Sequence, residues 1–168
     1  EILKPRITMK KIKELSRYYY IGLVIGYFTK KDILTWADRM IAENEQFPYE
    51  LIEISLSGNK PSVDIASKLK QIYGEEILQE PLYQLLGELV NDFETERTTE
   101  EEFFTYLSSL HYQESEIVLD EDLSDSLNRL DDAYYLALEG IYGDVKIVCE
   151  EAVNELSKYK EHIGRIKE

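Results

Sequence analysis

The side chains best suited to chemistry in this sequence follow no catalytic spacing. Its two histidines, His111 and His162, lack the His-Glu-x-x-His or paired-cysteine pattern that holds zinc. The single cysteine, Cys149, lies on an apolar helical stripe with no base nearby in sequence, so we expect a buried thiol and no nucleophile. Neighbouring acids such as Glu150 and Glu151 could move protons, but such pairs arise by chance among thirty-four acids. We therefore predict no enzyme activity, no catalytic residue and no cofactor.

The segment Asp120–Asp131 is the strongest metal candidate, because Asp120, Asp122 and Ser124 occupy the first, third and fifth positions of a calcium loop. It lacks the glycine that such a loop needs at its sixth position, and it ends in Asp131 where a bidentate glutamate is expected. Leucines within the segment continue the helical stripe of the following residues. We interpret it as the acidic start of a helix, which complements the helix dipole, and predict no metal site.

Nearly all of the net charge lies in one acidic stretch, Glu88–Asp132. It holds fifteen carboxylates and two arginines, a formal charge of −13, whereas the whole chain of 168 residues carries −15. Residues 1–84 are neutral. Negative charge repels nucleic acid and anionic lipid, so we expect neither as a partner. It suits a basic protein, a cation, or solubility alone.

Cysteine usage and hydropathy suggest where the chain resides. A single cysteine excludes an internal disulfide and fits a reducing compartment. The longest apolar run, Tyr18–Phe28, has eleven residues, and a membrane span needs about twenty. Since no signal-peptide pattern is present either, we expect a cytoplasmic location without membrane attachment.

Apolar residues recur at helical spacing along the chain, and caps and breakers divide it into seven or eight helices. The expected helices cover residues 9–25, 30 to at least 41, a short piece after Pro48, 62–73, 81–93, 100–111, about 122–141 and 144–163. Residues 51–56 could also form a strand, and 114–119 could include an extended piece. Val63, Leu138 and Ile141 are expected to face inward, with Trp36 at the edge of its stripe.

These elements predict an all-α single domain over residues 1–168, with 9–74 and 80–168 as an alternative division into sub-units. The last two helices should form a long antiparallel hairpin, Asp122–Ile163. Two stretches also echo each other at an offset of seventy residues: TKKDILTWA at 29–37 and TEEEFFTYL at 99–107. Farther upstream, Ile21-Gly22 echoes Leu86-Gly87 at sixty-five, which would require a five-residue insertion near 95–99.

The echo has two interpretations. The chain could contain two related helix–turn–helix units, or capping boxes could recur by chance in a helical protein. DNA binding by such units would need a basic recognition helix, and the helix that begins at Glu100 is wholly acidic.

Residues 18–57 contain GYFTKKDILTWADRMI followed by PYELIEISL, a segment that resembles one in small helical bacterial proteins of unassigned function. The resemblance covers about a quarter of the chain and carries no catalytic residues. In overall type, being small, helical, acidic and free of motifs, the chain is similar to bacterial immunity proteins that neutralise polymorphic or contact-delivered toxins, many of them basic nucleases. The similarity implies a protein-binding role.

We therefore predict a non-enzymatic protein-binding module, an immunity protein that blocks a basic toxin. The predicted partner-binding residues come from the acidic stretch and the helix after it: Glu100, Glu101, Glu102, Asp120, Glu121, Asp122, Asp125, Asp131, Asp132, Tyr134 and Tyr135. The alternative is a structural or regulatory adaptor that forms homo-oligomers through its tyrosine-rich helices, such as the one with Tyr18, Tyr19 and Tyr20. A carboxylate metal protein or enzyme is a third interpretation, and a merely solvated acidic face is the plainest one.

Overall fold

Helix caps and breakers set the bounds of most elements. The computed structural model describes residues 7–166, apart from the side chains of Glu114 and Ser115, and every regular element in that range is helical. The helices are α1 (Met9–Val24), α2 (Lys30–Glu43), α3 (Glu50–Ser55), α4 (Ser62–Tyr73), α5 (Glu80–Glu94), α6 (Glu100–Tyr112), α7 (Glu114–Ile117), α8 (Glu121–Leu138) and α9 (Val145–Leu156), followed by a 3-10 helix (Ser157–His162). The all-α prediction is confirmed.

Local predictions that left helix and strand open are resolved in favour of helix. Residues 51–56 lie largely in α3. Of residues 114–119, for which an extended piece was one possibility, 114–117 form α7 and the last two lie in the connection to α8. The final helix is shorter than expected, since α9 ends at Leu156 and the chain tightens into the 3-10 helix. Asp120 caps α8 and accepts a hydrogen bond from the Leu123 N–H at 2.9 Å, so the calcium-like segment is a helix start.

The described chain divides into two compact units. The first runs to Leu82 and includes Ile166, and the second is Tyr83–Arg165. In the first unit, α1 packs against α4 and α2 packs against α3. In the second unit, α6 packs against α8, and α8 packs against α9 as the predicted hairpin. The single-domain organisation of the chain stays a prediction.

The observed burial of several side chains differs from the burial predicted from the helical spacing. Trp36 was placed at the edge of its stripe, but it is only 1% exposed in the core of the first unit. Val63 is 70% exposed, because it lies about 120° around α4 from the centre of the stripe that Ile65 and Leu69 bury. Leu138 and Ile141 are exposed as well, since α8 ends at Leu138 and the chain then turns.

One turn structure joins three of the helix pairs, α1–α2, α5–α6 and α8–α9. In each turn, the fifth and sixth N–H groups after one carbonyl both donate to that carbonyl: Tyr27 and Phe28 to Gly22 (2.8 and 2.9 Å), Arg97 and Thr98 to Asp92 (2.8 and 3.3 Å), Ile141 and Tyr142 to Leu136 (2.9 and 3.2 Å). The first two turns are seventy residues apart at every position. Gly22 therefore corresponds to Asp92, and the insertion inferred near 95–99 is wrong.

The same turn requires a left-handed residue three positions before the next cap in the first two cases. Gly26 has φ 86° and Glu96 has φ 60°. Thr29 and Thr99 then cap α2 and α6, and both have complete capping boxes. The left-handed conformation suits glycine and strains any other residue, so Glu96 is a strained position.

Replacing Glu96 with glycine should stabilise the second unit. The left-handed backbone costs a non-glycine residue about 1–2 kcal/mol, and the greater freedom of unfolded glycine offsets about 0.4–1 kcal/mol of that gain. We expect Glu96→Gly to raise the free energy of unfolding by roughly 1 kcal/mol in urea titrations. Gly26→Ala is the matched control and should destabilise, because an added Cβ there meets nothing within 4 Å and only the backbone conformation counts. A destabilised Glu96→Gly variant would contradict the turn.

Candidate partner-binding surface

Three acidic residues of α8 lie opposite its buried stripe. The stripe that packs inward comprises Leu123, Leu127, Leu130, Tyr134 and Ala137. On the outer side, exposed residues recur at spacings of four and three and therefore form one line along the helix. We call this line the acidic ridge, and it consists of Glu121, Asp125, Asn128, Asp132, Tyr135 and Glu139.

Large apolar side chains are exposed where the ridge ends. They lie on the last turn of α8, the following connection and the first turn of α9, with exposures of 55–78%: Leu138, Ile141, Tyr142 and Ile147. We call these four residues the apolar end. Single exposed apolar residues are ordinary on a protein surface, whereas several within ten residues are typical of an interaction site.

Four of the predicted partner-binding residues instead make bonds within the second unit. Glu100 accepts a hydrogen bond from the Tyr134 hydroxyl at 3.0 Å, and its other oxygen lies 3.5 Å from the Cys149 sulfur. Glu102 accepts the Thr99 N–H at 3.1 Å and completes the capping box. These bonds give Glu100, Glu102 and Tyr134 a structural role.

Asp120 is the fourth predicted partner-binding residue that makes bonds within the second unit. Besides capping α8, its second oxygen accepts a hydrogen bond from the Tyr83 hydroxyl at 3.0 Å. The carboxylate therefore joins the start of α8 to α5 and is engaged on both oxygens.

The remaining predicted residues separate by position. Glu121, Asp125, Asp132 and Tyr135 share the acidic ridge and are exposed there. Three others lie off the ridge: Glu101 is exposed on α6, Asp122 is exposed on α8, and Asp131 is half-buried on α8.

The helical spacing predicts that Leu138 and Ile141 face the core, and it therefore does not predict the apolar end. The signal that could have found it is the pair Gly140 and Gly143, because both adopt left-handed φ and end the helical pattern there.

Burial and the carboxylate of Glu100 raise the pKa values of two neighbouring groups, the Tyr134 hydroxyl and the Cys149 thiol. Burial raises the pKa of Tyr134 to about 12, and the hydrogen bond to Glu100 adds to the shift. Burial likewise raises the pKa of Cys149 to about 12, with the charge of Glu100 contributing next. Cys149 is half-buried, less than its stripe position suggested. Its thiol stays protonated at neutral pH, which is opposite to what a nucleophile needs.

Among residues 7–166, no three His, Cys, Asp or Glu side chains come together in a way that could hold a metal ion. Within the same residues, no helix combines the length and apolar character required to cross a bilayer.

Comparisons of the chain with protein-family models, with curated proteins and with solved structures found no match. The resemblance of residues 18–57 to small helical bacterial proteins stays a prediction, and so does the similarity in type to immunity proteins. The assignment of a function to the acidic ridge and apolar end therefore depends on their own geometry and chemistry.

Charge reversal on α6 should destabilise the chain more at Glu100, which makes bonds within the fold, than at its exposed neighbour Glu101. Glu100→Lys and Glu101→Lys both place a cation in the first turn of α6, so their effects on the helix dipole are similar. Only Glu100→Lys removes the acceptor of the Tyr134 hydroxyl. We expect it to be about 2 kcal/mol less stable than Glu101→Lys in urea unfolding. Equal stabilities would show that the Glu100 bonds contribute nothing to the fold.

The raised thiol pKa predicts slow alkylation of Cys149. At about pH 8.5 a thiol of ordinary pKa is partly ionised and reacts readily, whereas one of pKa about 12 is almost wholly protonated. Iodoacetamide should therefore modify the folded chain at least about 100-fold more slowly than the chain in concentrated urea. Glu100→Gln should accelerate the reaction in the folded chain by removing a repelling charge. A folded rate close to the unfolded one would contradict this environment.

Proposed function

We propose that the chain is a non-enzymatic protein-binding module of the immunity type, which neutralises a basic toxin in the cytoplasm. The binding surface would be the acidic ridge together with the apolar end. The observation that carries the proposal is their continuity along the chain, since a line of exposed carboxylates leads directly into exposed aromatic and aliphatic side chains. Interfaces combine these two components, with apolar anchors that supply affinity and charges that steer the partner.

The carboxylates of the ridge are available to a partner. Within the described residues, none of the four acids Glu121, Asp125, Asp132 and Glu139 forms an ion pair. Arg129 on the same helix pairs instead with Glu155 of α9. The ridge therefore presents unneutralised negative charge, which accelerates encounter with a basic protein and loses strength as salt is added.

The apolar end argues against a face that is merely solvated. Solubility requires charge, but it does not require Tyr135, Leu138, Ile141 and Tyr142 to stand in water at exposures of 60–78%. Tyrosine is enriched among residues that dominate binding energy, because its ring gives large contact area and its hydroxyl tolerates water. An apolar group beside a charged line suits a partner with a basic rim around an apolar patch.

The alternative of self-association through the tyrosines of α1 has less surface to use. Tyr18 and Tyr20 are buried, and Tyr19 is half-buried with its ring 4.7 Å from that of Trp36. Their rings serve the core of the first unit. Self-association through the apolar end remains an outcome that the binding experiment below would detect.

Reversing charge on the ridge should abolish partner capture without unfolding the chain. We would use three baits at low salt: the wild type, Asp125→Lys/Asp132→Lys on the ridge, and Asp64→Lys/Glu75→Lys as an exposed control with the same change of charge in the first unit. We expect a basic protein to bind the wild type and the control and to be lost from the ridge variant. Its association rate constant should fall by about tenfold or more for the ridge variant at low salt.

Two further experiments test the same complex, one with a variant of the apolar end and one with a growth assay. Tyr142→Ala should weaken the same complex mainly through faster dissociation, because it removes an apolar anchor and leaves the steering charges in place. Expression of the captured protein alone should arrest growth, and co-expression of the wild-type chain should restore it. Equal capture by the wild type and the ridge variant, or growth protection by the ridge variant, would overturn the proposal.

A further inference from the structure

The first unit contains an open cleft of about 630 Å³ beside the turn between α1 and α2. Its walls combine aromatic rings, two cations and two other polar residues: Tyr19, Tyr27, Phe28, Trp36, Lys31, Arg39, Asp32 and Thr35. Ligand sites have volumes of roughly 300–1,000 Å³ and join apolar walls to a few polar groups. The cleft therefore has the size and the composition of a small-molecule site.

The aromatic wall is a connected cluster. The Tyr19 ring lies 4.7 Å from the Trp36 ring and 5.0 Å from the Phe28 ring, and Tyr27 lies 5.0 Å from Phe28. Gly22 permits this arrangement, because an added Cβ would come within 2.1 Å of the Phe28 ring. A planar aromatic ligand could stack against such a cluster, with offset or tilted rings at similar separations.

The polar groups favour an anion over a cation. Lys31 is exposed on the cleft and makes no hydrogen bond or ion pair within the described residues. Arg39, which is already engaged in an interaction of its own, lines the same walls. The one acid, Asp32, is engaged in the capping box and accepts from both the N–H and the hydroxyl of Thr29, at 2.8 and 3.0 Å. With two cations and one carboxylate, the cleft walls carry a net positive charge, which favours an anionic ligand over a cationic one.

Trp36 supplies a second and independent observation. Its side chain is 1% exposed, and its indole Nε1 is buried without a hydrogen-bond acceptor. Buried tryptophan N–H groups usually find an acceptor, and an unpaired one is unfavourable. The oxygen atoms of an anionic ligand are acceptors of the required kind.

We propose that this cleft binds a small planar aromatic compound that carries a phosphate, sulfate or carboxylate group. The ring stacks on the aromatic cluster and the anionic group lies between Lys31 and Arg39. The side chains of the cleft shift on binding, so that a ligand oxygen reaches the buried Trp36 N–H and accepts its hydrogen bond. The cleft volume of about 630 Å³ suits a small molecule. This site is independent of the partner surface on the second unit.

The second unit provides the variants for the test. At the offset of seventy, Lys31, Trp36 and Arg39 correspond to Glu101, Tyr106 and Ser109, so the same turn accepts residues without the two cations. The double variant Lys31→Glu/Arg39→Ser therefore introduces residues that an equivalent backbone already holds. Lys10→Glu, at an exposed position of α1, controls for the loss of a cation elsewhere in the first unit.

The chain has one tryptophan, so its indole N–H gives a single resonance in a ¹H–¹⁵N correlation spectrum. We would titrate 1-naphthyl phosphate, with 1-naphthol, inorganic phosphate and a 1-naphthyl trimethylammonium salt as comparisons. We expect only 1-naphthyl phosphate to bind and to move the indole resonance downfield, as a new hydrogen bond requires. Lys31→Glu/Arg39→Ser should weaken binding by about tenfold or more, and Lys10→Glu should leave it unchanged.

Several outcomes would overturn the proposal. Binding of the cationic naphthyl compound would show an aromatic cage for cations, and equal binding of 1-naphthol would show that the anionic group plays no part. An unmoved indole resonance at saturating 1-naphthyl phosphate would place the ligand elsewhere. Thermal unfolding establishes that each variant is folded before it is titrated. If the double variant is unfolded, Lys31→Gln takes its place, because it leaves Arg39 and its interaction intact. None of these results depends on the partner of the second unit.

Discussion

The fold depends on a backbone constraint that recurs at three places. One residue in the left-handed conformation, Gly26, Glu96 or Gly140, lets a single upstream carbonyl accept two later N–H groups and reverses the chain. The groups left unpaired at a helix end are thereby satisfied locally. Because the next helix starts within a few residues of that turn, the rotation of this helix about its own axis is fixed. The face that it exposes to solvent is therefore fixed as well.

Two of these turns lead into helices whose first residues carry charges of opposite sign, positive in α2 and negative in α6. In the first unit, Lys31 follows the capping threonine of α2 and contributes to a basic aromatic cleft. In the second unit, the three residues that follow Thr99 are all glutamates, of which Glu100 is anchored by Tyr134. The backbone requirement is met by the cap and the left-handed residue alone. The intervening positions are therefore free to specialise, which explains how equivalent backbones present different chemistry.

Local patterns in the sequence predicted the elements well, and long-range contacts explain the failures. Caps and glycines gave α4 with both of its ends and both capping boxes, because these signals act within one turn of helix. The engagement of Glu100 and Asp120 was missed because their partners, Tyr134 and Tyr83, lie 34 and 37 residues away in sequence. The apolar end was missed because its exposure depends on where α8 stops, which periodicity alone does not show.

Under the proposed function, a basic partner docks on the acidic ridge and apolar end of the second unit. Hydrogen–deuterium exchange of the chain, free and bound to the captured partner, maps this contact without any mutation. We expect slower exchange over residues 121–147, which cover α8, the turn and the start of α9, with residues 30–43 of α2 unchanged. Protection confined to the first unit, with none over 121–147, would contradict it.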